Sequence, residues 1–315
     1  MEKFFENYYK FISNQFSSSI SQKIINGFNK KRYTTFRVNT LKANSENIIE
    51  DILNRLKKEK IEFKKSSFLK NAFYFLNLNE SKALKLPIVN EGLIYLQSFS
   101  SMIPAYLINP EENEKILDIT AAPGSKTTLI SALSNNKAII YANEKDKIRY
   151  ERLKYNVDLL GCNVNLINEK AERLGEIFTN IFDKVLVDAP CSGEGRFLKS
   201  DKSTYFKWSE KEVEKNYILQ KKILNSALKT LKESGLCVYS TCTLNKIENE
   251  KVIAEIIQNY EIKPIKNIEF FNNIPDVHIE YIDIRNLSLP VYRILPSEYF
   301  EGFTIILFTK LKNRY

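Results

Sequence analysis

Two cysteines stand where apolar runs give way to small, polar residues. Cys191 follows "VLVDAP" and precedes "SGEG", and Cys242 follows "LCVYST". A thiol in such a place can pair as a disulfide, hold a metal, fill core space or do chemistry. Four irregularly spaced cysteines in a chain of 315 residues do not make a disulfide framework. Cys237 and Cys242 are five apart, no CxxC pair occurs and His278 is the only histidine, so no metal site is expected. Core filling suits Cys162 and Cys237, because cysteine is usually a small buried residue. It suits Cys242 poorly. That residue lies past its apolar run and just before "NKIE", where Asn245 can cap a helix with Glu248 three residues on. A helix N-terminus near a thiol favours the nucleophilic thiolate.

The thiols can act together only if the elements that carry them end side by side. From Glu114 onward short apolar strands alternate with helices: "KILDI" (115–119), "AIIYAN" (138–143), "VNLI" (164–167) and "KVLVD" (184–188). A long helix follows, with Val213, Tyr217, Leu224, Leu228 and Leu231 at spacings of three, four and seven. Then come "LCVYS" (236–240), a helix from Lys246 and a last strand "FTIILFTKL" (303–311). Strands buried on both faces and separated by amphipathic helices predict an α/β fold with a doubly wound, mostly parallel sheet. Sequential strands in such sheets often neighbour each other, which would bring Cys191 and Cys242 to one edge. Upstream, "TTFRVNTLKA" (34–43) reads as a strand, "NSENIIEDILNRLKKE" as a helix capped by Asn44 or Ser45, and "NAFYFLN" (71–77) as another strand. This is a small α+β unit. The boundary is placed near Asn109, giving domains of 1–109 and 110–315.

Ligands of doubly wound sheets bind at the carboxyl ends of the strands. There "TAAPGSKT" opens a helix, with Gly124 letting the backbone approach a ligand and the helix N-terminus offering free amides. Glu144 ends the second strand, where a carboxylate can take both hydroxyls of a ribose. The GxxxxGK[ST] phosphate loop is absent, so an ATPase is disfavoured. An adenosine ligand without a triphosphate fits these loops, and S-adenosylmethionine is the candidate.

A hydrophobic share of 43% and a charged share of 27% are those of a globular protein. No apolar run approaches the ~18 residues of a membrane span, and the amphipathic N-terminus is unlike a signal peptide. A cytoplasmic protein without membrane association, acting as a monomer, is expected. The net charge of +9 is unevenly placed. Residues 1–90 hold 17 Lys and Arg against 8 Asp and Glu, and the remainder holds 30 of each. A polyanion-binding N-terminal module is expected, with "RLKKEKIEFKK" (55–65) as part of the contact surface.

The segments "FRVNTLKA", "YLQSFSSM", "ILDITAAPGSKTT", "VLVDAPCSGEGRF", "VYSTCTLNKIENE" and "RILP…EGFTIILF" occur in the order of a known family and span nearly the whole chain. The chain resembles the Sun/NOP class of RNA cytosine-5 methyltransferases, most closely the bacterial ribosomal-RNA members. The resemblance implies a Rossmann-like class I methyltransferase domain preceded by the small α+β unit, with S-adenosylmethionine as cofactor and RNA as partner, rRNA foremost and tRNA as the alternative. It implies that Cys242 attacks carbon 6 of cytosine, that Cys191 assists release of the methylated product, and that Asp188 hydrogen-bonds the ring. Lys126 lies where the family contacts the cofactor, within the loop Thr120, Ala121, Ala122, Pro123, Gly124 and Ser125. Glu144, Asn168 and Asp188 complete the implied cofactor set.

Gln97 and Ser100 match a "Q-x-x-S" segment, with contact to the site or a structural role both open. Ser125 replaces a second glycine of many members, and the acid usual after the third strand has only Asn168 or Glu169 as counterpart. The chain ends soon after its last strand, so the basic N-terminal module is expected to carry more of the RNA holding. A target base must be unstacked before a thiol reaches it, which favours a loop or bulge of folded RNA. A DNA cytosine methyltransferase, with Cys191 as nucleophile, and a non-catalytic ribosome-assembly factor are the competing readings.

Overall fold

A computed structural model describes residues 2–313 except 267 and 285, so the outer ends of the two expected domains, at 1 and at 314–315, lie outside the described residues. Four short strands, β1 (Thr35–Val38), β2 (Phe63–Lys65), β3 (Ala72–Phe75) and β4 (Ile94–Leu96), make an antiparallel sheet in the order β2-β3-β1-β4. Side chains alternate across a strand, so the sheet has two distinct faces. Phe36, Phe73 and Phe75 turn to one face and bury Ile52 and Leu56 of the helix Glu46–Lys58, which Ser45 caps by accepting the Ile48 amide. Thr35, Arg37, Tyr74 and Tyr95 turn to the other.

The first two helices, Glu2–Ser13 and Ser18–Gly27, do not join this unit. Their Phe5, Tyr8, Ile12, Ile24 and Phe28 pack with Phe197, Tyr205, Val213 and Leu244 from the second half of the chain. The helix Phe99–Ile108 likewise packs with Ile116, Leu129 and Ile130 of the larger sheet's core.

That larger sheet has nine strands among the described residues. β5 (Lys115–Asp118), β6 (Ile139–Asn143), β7 (Val164–Ile167), β8 (Phe182–Asp188) and β9 (Leu231–Thr241) are parallel, in the order β9-β8-β5-β6-β7. β10 (Tyr260–Pro264), β11 (Val277–Ile284), β12 (Leu287–Ile294) and β13 (Phe303–Asn313) extend it antiparallel beyond β9. Strand order reverses at β5, between β6 and β8, and a ligand crevice forms at such a point. Ile116, Ile140, Leu186 and Val238 face one core cluster, and Leu117, Val185, Val187 and Tyr239 the other. The helix Glu210–Thr230 covers the second through Leu224 and Leu228.

The alternating strands and helices from 114 to 241 follow the sequence reading. The extension β10–β12 does not. β11 alternates half-buried and exposed positions along "VHIEYIDI", so it has none of the continuous apolar signal of β8. Cys237 lies buried on β9, where desolvation pushes its thiol up, in the packing role expected of it. No helix among the described residues is long and apolar enough to cross a membrane.

Candidate active site

β8 and β9 pair in parallel with Asp188 opposite Ser240, and the Ala189 amide donates to the Ser240 carbonyl at 2.9 Å. The loops leaving these strands therefore start together, and they bring Cys191 Sγ and Cys242 Sγ to 3.2 Å. The two thiols polarise in opposite directions. The Cys191 hydrogen bond lowers the Cys242 thiol, with the Arg196 guanidinium adding to the effect against the cost of burial. Cys191 is held up by the same bond, by burial and by the charges of Cys242 and Glu248. Cys242 is thus the more acidic thiol of the pair and Cys191 the less acidic.

The loops are fastened from behind. Gly195 donates its amide to the Cys242 carbonyl at 3.0 Å and accepts from the Gly302 amide at 2.8 Å. A Cβ at Gly195 would lie 1.9 Å from the Gly302 oxygen, so only glycine permits this approach. Glu248 accepts from the Ser192 amide at 2.9 Å, the Ser192 hydroxyl at 2.5 Å and the Asn245 side-chain amide at 2.8 Å. Asn245 also donates to Glu194, whose other oxygen accepts from Tyr8 of the first helix. Asn245 Oδ1 accepts the Glu248 amide at 2.8 Å, the bond expected from "NKIE", but the cap position of the helix falls one residue later, at Lys246. The helix it starts opens as a π-helical turn, Ile247–Lys251, before Val252–Ile256. Burial raises Glu248 to about 7 and also raises Glu194.

Across the same cleft Lys126 Nζ donates to Asp188 Oδ2 at 2.7 Å and to Ser101 Oγ at 2.8 Å. Asp188 Oδ1 accepts from Ser240 Oγ at 3.0 Å, and Thr120 Oγ1 donates to the Asp188 carbonyl at 2.9 Å. The cleft has a volume of about 1140 Å³. Thr120, Ala122, Pro123, Ser125 and Lys126 line it, together with Glu144, Asp188, Cys191 and Cys242. Ala121 and Gly124 do not line it. Gly124 has a φ of 104°, a backbone shape that suits glycine and sets the loop at the start of the helix Ser125–Leu133.

Glu144 is buried, accepting from the Asp146 amide at 2.9 Å and pairing with Arg149 at 3.1 Å. Asn168 is not in the cleft wall. Its amide donates to the Glu144 and Lys145 carbonyls at 2.6 and 3.2 Å, and so holds the turn that presents Glu144. Two wall groups, Gln97 Nε2 and Glu172 Oε2, are buried without a hydrogen-bond partner among the described residues. A donor and an acceptor left open beside a glycine loop and a buried carboxylate suit a polar, nucleoside-bearing ligand.

The sequence model of the family described as 16S rRNA methyltransferase RsmB/F matches residues 105–306. This chain belongs to that family. Ribosomal RNA small subunit methyltransferase F of Shewanella piezotolerans is 34% identical over 279 residues, covering 86% of this chain and 57% of that protein. A tRNA (cytosine(49)-C(5))-methyltransferase of Pyrococcus abyssi is 35% identical over 229 residues, 73% of this chain and 72% of that one. The crystal structure of a methyltransferase homolog protein from Pyrococcus horikoshii aligns with a TM-score of 0.72 and 29% identity, over 94% of this chain and 92% of that chain. The chain spans about half the length of the first curated relatives it matches, 57% and 48%. The fold is accordingly the Rossmann-like class I methyltransferase fold that the motifs imply.

Three site residues lie outside the sequence reading. Arg196 follows "GEG" and lines the cleft, yet an arginine in a loop carries no spacing signal. Glu172 sits in the 3-10 turn Ala171–Arg173 after β7, four positions beyond Asn168. Tyr8 meets Glu194 across 186 residues of chain, and no local pattern announces such a contact. Gln97 has a structural role, since its oxygen accepts from Arg37 Nε at 2.9 Å, and it also belongs to the cleft wall.

Proposed function

We propose that this chain transfers a methyl group from S-adenosylmethionine to carbon 5 of a cytosine in structured RNA, through a Cys242 thioether at carbon 6. The observation that carries the reading is the thiol pair, 3.2 Å between sulfurs, in the cleft that also holds the Lys126–Asp188 pair. Carbon 5 of cytosine is a poor nucleophile, and adding a thiolate to carbon 6 makes it electron-rich. Cys242 is the thiolate. Each Asp188 oxygen keeps a lone pair for the amino group of the ring, and the Lys126 ammonium beside it offsets the charge that develops there.

S-adenosylmethionine, when bound, supplies an electrophilic methyl group. Glu144 would hold its ribose hydroxyls and Glu172 an amino group of its base, with Thr120, Ala122, Pro123 and Ser125 forming the floor. Once Cys242 is a thioether, two of the causes that keep Cys191 protonated vanish: the hydrogen bond to its neighbour and that neighbour's charge. Cys191 then gives its proton to water, takes the proton from carbon 5, and the carbon 6–sulfur bond breaks to return the Cys242 thiolate.

Ribosomal RNA is the first substrate reading, in line with the family's description. Transfer RNA is the second, favoured by the larger share, 72%, that the chain spans of the Pyrococcus abyssi enzyme. Radiolabelled methyl transfer to RNA and not DNA, followed by bisulfite sequencing of rRNA and tRNA from cells with and without the gene, tests the proposal. Label in DNA alone, or no lost 5-methylcytosine in the deletion, overturns it.

A further inference from the structure

The basic excess of residues 1–90 is divided by the small sheet. Lys57 and Lys58 end the helix Glu46–Lys58, which covers the face bearing Phe36, Phe73 and Phe75, and Lys60 follows them. The cleft opens on the opposite face, where Thr35 and Tyr95 belong to its wall. In β2, Lys64 stands opposite Tyr74 and so shares the face turned toward the large sheet. Lys31, Arg32 and Tyr33 line the cleft directly.

We propose that the rim formed by Lys30, Lys31 and Lys64 with Tyr33, Tyr74 and Tyr299 holds the single-stranded RNA flanking the target cytosine, in place of the lysine end of the helix Glu46–Lys58. This inference rests on the RNA methylation reading. Tyr33 and Tyr74 have ring centroids 5.0 Å apart, Tyr33 and Tyr299 5.5 Å, and Tyr74 and Tyr299 5.3 Å. All three rings are partly exposed, and Tyr33 and Tyr299 share the cleft wall with Cys242. Aromatic faces at the mouth of a cleft, beside exposed lysines, accept unpaired bases regardless of sequence. Lys30, Lys31 and Lys64 are exposed and have no ion-pair partner among the described residues, so their charge is available to phosphates.

The rim is also tied to the reacting thiol. Arg32 donates to the carbonyls of Gly195, Arg196 and Phe197 at 3.2, 3.1 and 2.9 Å, and Gly195 in turn donates to the Cys242 carbonyl. A strand lying on Lys31 and Tyr33 is thereby held at a fixed offset from Cys242, which presents the next nucleotide to it.

The test compares two triple variants, Lys30/Lys31/Lys64→Glu and Lys57/Lys58/Lys60→Glu, for binding of a fluorescein-labelled RNA hairpin with a single-stranded loop across a salt series. The rim variant is expected to flatten the slope of log affinity against log salt by about 2, from three contacts at ~0.7 each, while the helix variant leaves it unchanged. Tyr33→Ala is expected to weaken binding about 5- to 100-fold and Tyr33→Phe to restore it, with cofactor affinity and Tm equal in both. A slope lost in the helix variant, a slope unchanged in both, or Tyr33→Ala altering Tm alone overturns the inference. Rim-dependent RNA binding by a wild-type protein that methylates no RNA would overturn the methylation reading and leave the rim standing.

Discussion

The two ends of the cleft are built in opposite ways. Behind the thiols, all four oxygens of Glu194 and Glu248 accept hydrogen bonds, from Tyr8, Ser192, Gln220 and Asn245. At the β5–β7 end, the Glu172 and Gln97 wall atoms and the neighbouring Asp118 Oδ1 are buried with no partner among the described residues. A nucleophile must be aimed before substrate arrives, and these two saturated carboxylates aim it, even though Gln220 Oε1 beside them is buried with no partner among the described residues. A binding site is left incomplete so that a ligand can complete it.

Replacing a group at the thiol end should therefore abolish a step, whereas replacing one at the cofactor end should shift an equilibrium. The largest effect is expected from Cys242→Ala: no turnover and no covalent RNA product, with cofactor affinity unchanged by calorimetry. Residual multiple turnover would make Cys242 packing and erase the contrast.

The next tests the charge stored at the cofactor end. Burial raises Asp118 to about 7, against the lowering effect of the Thr127 hydroxyl bonded to it at 2.7 Å. A carboxyl whose folded pKa exceeds its unfolded value binds its proton more tightly when folded. Its contribution is thus full below about pH 4 and lost as pH rises to about 7, an effect of up to ~4 kcal/mol. Asp118→Asn replaces the unpartnered oxygen by a neutral amide. Urea titrations of the ligand-free protein should show a flatter stability profile between pH 4 and 7 for the variant, and an unchanged profile would place the charge elsewhere.

Smaller still are the binding changes. Glu144→Ala should weaken S-adenosylmethionine by about 1–3 kcal/mol and Glu172→Gln by about 1 kcal/mol or less, both by calorimetry. Equal and null effects would mean that this end is not the ribose and base site.

These differences also explain what the sequence revealed. Cys191, Cys242 and Glu144 could be placed at one sheet edge because each lies at or just past the end of a buried parallel strand, where apolar runs mark position; Asp188 and Lys126 came from the family resemblance, and all five line the cleft. Asn168 was chosen by its place after β7, but its amide is spent on the Glu144 turn, and the open carboxylate is Glu172. Tyr8, Arg32 and Arg196 were not readable. Their roles depend on how distant segments meet around Cys242, and such long-range packing leaves no periodic trace. The antiparallel strands β10–β12 were missed for the related reason that half-exposed strands alternate polar and apolar residues weakly.

The central claim is that the two touching thiols act in successive steps, attachment by Cys242 and release by Cys191. Incubating Cys191→Ala with S-adenosylmethionine and substrate RNA, then resolving the mixture by denaturing electrophoresis, tests it most directly. A protein–RNA adduct should accumulate in Cys191→Ala and be absent from the Cys191→Ala/Cys242→Ala double variant. An adduct in Cys242→Ala and none in Cys191→Ala would exchange the roles and contradict the account.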